Sequence, residues 1–430
     1  MDQMVEREKA LQRLVTTFIC TGLVFLLLPG TFLGVWNLIA ISDHRSLHSL
    51  SSAWIEAHGQ AQIFGWIGTF IIGIGFYSLS KMGRLAHFAI KRGWQSWALW
   101  TTGVTVHWLT GVYAWEWRVL FPLSAGLQVA GFLLFFWTVR RHRVSKPEGE
   151  RRAPEVWMRL VIASTFLFLL SLAWNFAAAL CSSFWTSSPA LPAAADRHVL
   201  LLSTWGFLVV TVWGFNARWL PIFAGLRQPS ARGLMAALAV LIVGLITGLV
   251  NLPAISSLFL IGASITAARS LHVFEWSIQP AKLNGIHPSF PYFIRGAYVW
   301  LIVAAVLSLA AALFDKNNGI GGASRHALTV GFLATMVFAI GQRILPAFCG
   351  MHTLFSKRMM FGSLLLLNLG CVMRVACEIP AYEHNVMLAW RVLPISAITE
   401  LAAVALFVAN LVITFLRPPA HLISGSKAAA

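Results

Sequence analysis

RHALTVGFLATMVFAIGQRILPAFCG, residues 325–350, is one of three variants of a single local pattern in this chain. RHVLLLSTWGFLVVTVWGFNARWLPIFAG (197–225) is another, and HGQAQIFGWIGTFIIGIGF (58–76) the third. Each opens an apolar stretch with a histidine: His58, His198 or His326. The two later copies share R-x-x-P-x-F-x-G, from Arg218 to Gly225 and from Arg343 to Gly350, with Gly206-Phe207 and Gly331-Phe332 in the same register. The first copy keeps glycines at Gly65 and Gly73 but lacks the Arg and Pro. A period of roughly 125–140 residues far exceeds that of solenoid repeats. It is what a membrane bundle built from three repeats shows.

Composition points the same way. The chain has 430 residues, 58% of them hydrophobic and 11% charged, where a soluble domain averages about 25% charged. Mean hydropathy is +0.74. The 19 tryptophans suit a protein whose indoles sit at headgroup level. The net charge of +17 invites a nucleic-acid reading, but the basic residues concentrate in alternate loops, which is a topology signal, and no nucleic-acid partner is expected. Five cysteines without C-x-x-C spacing read as small buried hydrophobes.

A span needs about 20 apolar residues. Twelve are predicted: 14–41, 58–80, 94–115, 118–138, 157–181, 198–221, 232–251, 253–275, 292–314, 325–346, 359–378 and 391–416. The fold class is therefore all-α, a single polytopic membrane domain of twelve helices in three four-helix pseudo-repeats. Repeat one covers 14–138, repeat two 157–275 and repeat three 292–416, with linkers at 139–156 and 276–291. Lys81, Arg84, Lys91 and Arg92 follow the second span, and Arg140, Arg141, Arg143, Lys146, Arg151 and Arg152 the fourth. The opposite loops hold few basic residues, so both termini are expected on the cytoplasmic side of a lipid bilayer.

In this layout the three histidines each sit in the first turn of a span that enters from the outer side. One such histidine is ordinarily an interfacial side chain reaching water. Three at one depth are costly in a bilayer and need partners. The functional reading is metal or haem ligation, for which neutral imidazole is the usual donor. Facing helices from separate repeats would supply two imidazoles to one haem iron. His107, inside the third span, is a reserve ligand, with an ordinary hydrogen-bonded histidine as its alternative. Arg197, Arg325 and Arg374 lie at similar depth and suit the carboxylates of a haem; snorkelling to headgroups is the plainer account. Glu56, Glu116 and Glu378 are available to pair with them. The R-x-x-P-x-F-x-G copies read as structural, Pro ending a helix and Gly permitting the turn. No G-x-x-x-x-G-K-[ST], H-E-x-x-H or G-x-S-x-G motif occurs.

Ala57-His58-Gly59 opening the second span and His326 opening the tenth resemble subunit I of haem–copper oxidases. HALTVGFLATM (326–336) and the three-histidine layout resemble the NnrS family more closely, an oxidase-like group linked to the bacterial response to nitric oxide. That resemblance implies a membrane protein holding haem, of b type, with copper as a second candidate. It makes His58 and His326 haem ligands and matches His198 to an oxidase copper ligand. It also implies nitric oxide or another small gas as partner, and small-gas oxidoreductase chemistry if the protein is an enzyme. The departures are specific. The seventh span, LMAALAVLIVGLITGLVN (234–251), has no histidine pair, the tenth has His326 alone, and Gly59-Gln60 replace the rest of an NnrS-like His-x-His-Glu. The rival readings are a cofactor-free transporter, supported by Asn175 deep in a span, and an assembly or sensory protein that kept the fold without its metals.

Overall fold

A computed structural model describes residues 2–81, 90–142, 155–351 and 353–417. No strand occurs among them. The long helices are α1 (Glu6–His44), α2 (Ser52–Lys81), α3 (Ile90–Tyr113), α4 (Trp117–Arg141), α5 (Val156–Trp185), α6 (Ala193–Phe223), α7 (Ala231–Leu249), α8 (Pro253–Ser270), α9 (Phe290–Phe314), α10 (Gly319–Phe348), α11 (Lys357–His384) and α12 (Met387–Leu416). Ten of them are long and apolar enough to cross a membrane, against twelve expected from hydropathy. The two that fall short are α3 and α8, of 24 and 18 residues. Both carry small polar residues where they meet their neighbours. Ser96 Oγ donates to the Gly131 carbonyl (2.8 Å), Ser256 Oγ to that of Gly244 (2.7 Å), and Ser257 pairs with Ser308 at 2.9 Å. Small hydroxyl side chains let apolar helices approach closely and lower hydropathy in doing so. Arg84, Arg143, Lys146, Arg151 and Arg152, and with them most of the 139–156 linker, lie outside the described residues.

Successive helices pack as neighbours, and α12 returns to pack against α1. Within this arrangement α2, α6 and α10 are the inner members. Between 72% and 78% of their apolar windows is buried, against 28–50% for the other spanning helices. Aromatic contacts join them to their surroundings. Phe168 of α5 stacks on Phe207 of α6 at 3.8 Å and on Phe64 of α2 at 5.7 Å. Phe338 of α10 meets Trp66 of α2 edge-on at 6.0 Å and stacks on Phe407 of α12 at 3.9 Å. Buried amides cross-link the same layer: Asn216 Nδ2 donates to Tyr298 Oη (2.9 Å) and Asn410 Nδ2 to Gln342 Oε1 (2.7 Å).

Each inner helix switches from α to π winding just past its histidine. The π stretches are Ala61–Gly68, Leu201–Val209 and Ala327–Ala334, and α1 has one more at Leu26–Phe32, around Pro29. Such winding is rare and is found mostly at functional sites. The R-x-x-P-x-F-x-G copies close α6 and α10 at the other end. Gly225 and Gly350 take positive φ, +66° and +82°, and two residues of each helix follow its Pro. Arg218 stacks on Trp157 (5.0 Å), and Arg343 donates to the Asn284 carbonyl at 2.9 Å. All five cysteines are free. Burial pushes the Cys349 thiol, just beyond α10, up to about 12.

Candidate functional site

The starts of the inner helices fix where the histidines lie. Ser51 caps α2, its Oγ accepting from the Ala53 amide. The start of α10 is held by two carboxylates. Glu383 accepts from the amides of Lys316, Asn317 and Gly319 (3.0–3.2 Å), and Asp315 from those of Ile320 and Gly321 (3.4 and 2.7 Å). Carboxylates satisfy the free amides of a helix N-terminus and complement its dipole. These helices begin several residues earlier than hydropathy suggests, because the capping segments are polar. The histidines therefore sit about two turns in, not in the first turn.

Between the histidine-bearing ends of the helices lies one cavity of about 370 Å³. His58, His107 and His326 line it, with Arg325, Arg374, Glu56, Asp196, Asn175, Glu378, Tyr382 and Glu400. His58 Nδ1 is 2.8 Å from the Gly30 carbonyl, exposed by the π winding of α1. Its ring rests on Gly34, where an added Cβ would stand 2.5 Å from Cε1. His326 Nδ1 lies 3.0 Å from the Gly322 carbonyl and 3.1 Å from Glu378 Oε2. In both rings Nδ1 is engaged, and Nε2 has no partner among the described residues. An imidazole tied at one nitrogen to a carbonyl or carboxylate is the arrangement that orients and tunes a metal ligand. Arg374 and Glu378, one turn apart on α11, form a buried pair (Nε to Oε2 3.3 Å, Nη2 to Oε1 3.5 Å). The pair leaves Arg374 Nη1 without a hydrogen-bond partner.

The other predicted site residues divide. His107 is buried beside the cavity, its Nδ1 3.1 Å from Ser124 Oγ and its ring 4.7 Å from Phe121. Arg325 lines the mouth. His198 and Arg197 are not brought to the cavity. The His198 ring packs edge-on against Trp174 of α5 at 5.3 Å, and Arg197 is exposed. The winding of α6 turns Asp196 and Val199 inward instead. Asp196 stands two residues before His198, as Glu56 does before His58. That shared offset was readable in the sequence. Glu56 Oε2 accepts from the Leu191 amide at 2.9 Å and ties α2 to the segment leading into α6. Glu400, which the sequence reading did not single out, also lines the cavity. It is a lone carboxylate in the middle of α12, masked by the apolar residues around it.

A haem and a separate copper make different demands. Two imidazoles on different helices, with Arg374 beside them carrying an unpartnered Nη1 and Arg325 also lining the cavity, fit a haem with its carboxylates. Among the described residues, no group of three or more His, Cys, Asp or Glu side chains is arranged to hold a metal ion. The donor set for a separate copper is not assembled, His198 having turned away.

Residues 156–416, more than half of the chain, match the model of the family described as Domain of unknown function (DUF8744). The chain belongs to that family. The DUF8744 region runs from the first residue of α5 to the last of α12. It includes His326, Arg374, Glu378 and Glu400, while His58 and His107 precede it. No curated protein matches the sequence. Among solved structures, the cryo-EM structure of a heme-copper terminal oxidase dimer is similar over 95% of this chain and 84% of its own. The TM-score is 0.58 and the identity 13%. At that identity the likeness shows the fold alone: this DUF8744 chain is an all-helical, oxidase-like bundle with multiple membrane helices.

Proposed function

We propose that the cavity seats a haem, of b type, with His58 and His326 as its axial ligands and Arg374 and Arg325 receiving its carboxylates. The observation that carries this reading is the matched pair of imidazoles on α2 and α10. Each has Nδ1 on a main-chain carbonyl, and both face one cavity. A bound haem would supply one-electron redox chemistry. The chain's own part is to hold the two rings, neutralise the carboxylates and keep the site apolar around them. The π turn that follows the histidine in three helices supports the threefold division of the sequence, which belongs to the same proposal.

The NnrS resemblance extends the proposal to nitric oxide and nitrosative stress, in a bacterial inner membrane with both termini cytoplasmic. A dithionite-reduced minus air-oxidised visible spectrum of the purified protein tests the haem. Sharp α and Soret bands are expected, and a flat spectrum from folded, haem-supplied protein refutes it. Adding nitric oxide to the reduced protein then tests the gas, as a shift of those bands.

One observation favours the rival transporter. The cavity carries Asn175, Arg374, Glu378 and Glu400, ionisable or polar groups at membrane depth. Uptake by haem-free proteoliposomes would decide for it.

A further inference from the structure

Glu400 is not used by the haem site as described. It lies thirteen residues past Met387 on α12, about 20 Å along the axis at 1.5 Å per residue. It lines the cavity on the same helix face as Ala397 and Val404. Its place is prepared by Gly370 of α11, where an added Cβ would stand 2.5 Å from Glu400 Cγ. Glu400 Oε1 is buried and has no hydrogen-bond partner. A carboxylate so placed is costly to ionise unless a positive charge faces it.

The facing charges can be taken helix by helix. From α11 come Arg374, Glu378 and the Cys371 thiol, and from α10 His326. Arg374 and Glu378 are already paired with each other. Arg343, on the far half of α10, is bonded to the Asn284 carbonyl. The stretch of α1 packed on α12, from Leu26 to His44, has titratable side chains only at its end, Asp43 and His44, and neither lines the cavity. No hydrogen bond joins Glu400 to His58 or His326, which stand on other helices. The protein therefore leaves Glu400 without a dedicated counter-charge, and the occupant of the cavity must decide its state.

We infer that Glu400 is a redox-linked proton acceptor, ionised while the cavity holds an oxidised haem and protonated when that haem is reduced. The inference rests on the haem reading above. A ferric haem core with two neutral imidazoles carries one net positive charge, which offsets the carboxylate. An electron from an external one-electron donor cancels that charge. The carboxylate then binds one proton from water, its oxygen forming the O–H bond, and the net charge of the cavity is unchanged.

The test combines two readouts on the haem-loaded protein. The midpoint potential is measured by spectroelectrochemical titration from about pH 6 to 9, and the reduced-minus-oxidised infrared difference spectrum is recorded alongside. In the wild type the midpoint should fall as pH rises, and reduction should raise a carbonyl band of a neutral carboxylic acid. Glu400→Gln should flatten the pH dependence and remove the band, while Glu400→Asp keeps both. A pH-independent midpoint in the wild type, or an unchanged slope and band in Glu400→Gln, overturns the inference and leaves the haem reading standing. Absence of any haem spectrum in the wild type overturns both, so the two failures are distinct. Because the wild type alone can refute it, a poorly folding variant does not shelter the proposal.

Discussion

His58 owes its orientation to side chains that are missing. Gly34 leaves room for the ring, and the π winding around Pro29 presents the Gly30 carbonyl to Nδ1. Gly34→Val should push the ring off this position. The expected result is loss of the haem spectrum with a modest stability cost, about 1–3 kcal/mol for an overpacked site. His58→Ala and His326→Ala should each abolish or shift the haem bands, and normal spectra in both would refute the ligand assignment. Arg374→Ala would leave the buried Glu378 carboxylate with only His326 beside it, a loss of up to about 3–5 kcal/mol. Thermal unfolding in detergent checks this, and Arg374→Ala with Glu378→Ala should recover most of the loss. The candidate histidines were legible as residues, because a repeated histidine stands out in apolar sequence. Their division was only partly so: Arg-His opens both later copies, but Gly-Phe follows His198 by eight residues and His326 by five, and the structure turns His198 to Trp174.

At the scale of the element, the π turns decide which side chains reach the cavity. Each begins within three residues of its histidine, and in α2 and α6 it contains the aromatic anchors Phe64, Trp66 and Phe207. Removing one residue from a π turn restores α winding. The change in residues per turn shifts the His58 end of the helix along and about its axis relative to the Phe70 end. Deleting Gly65 should therefore keep the helical far-ultraviolet signal but uncouple His58 from Gly30 and lose the haem bands. An unchanged visible spectrum would show that the winding does not place the ligand. Hydropathy could locate these helices but not the π turns within them, because an apolar run satisfies either winding. The helix starts were also displaced, since Asp315 and Glu383 cap α10 across a loop and from α11.

For the whole molecule, the bundle puts the helices that carry His58, His198 and His326 inside and encloses them by returning α12 to α1. The cavity is one consequence: α2, α10, α11 and α12 meet where glycines at 34, 322 and 370 have no side chains to fill the space. The alternation of basic loops predicts one topology. A green fluorescent protein fused after residue 417 should fluoresce, and an alkaline phosphatase fused in the 186–192 segment should be active. The reverse pattern would invert the orientation and place the cavity mouth on the cytoplasmic side.

The sequence by itself determined the membrane class, the positions of the apolar helices and the residues worth suspecting. Each of these is a local property: length of apolar run, charge in a loop, a repeated motif. Only the tertiary structure decided that His58 and His326 share a cavity while His198 does not, and that Glu378 braces both His326 and Arg374. It alone showed that Glu400, 22 residues beyond Glu378, faces the same space. The physical reason is that depth in a membrane is written in hydropathy, whereas the direction a side chain points is fixed by helix winding, capping and the glycines of the facing helix.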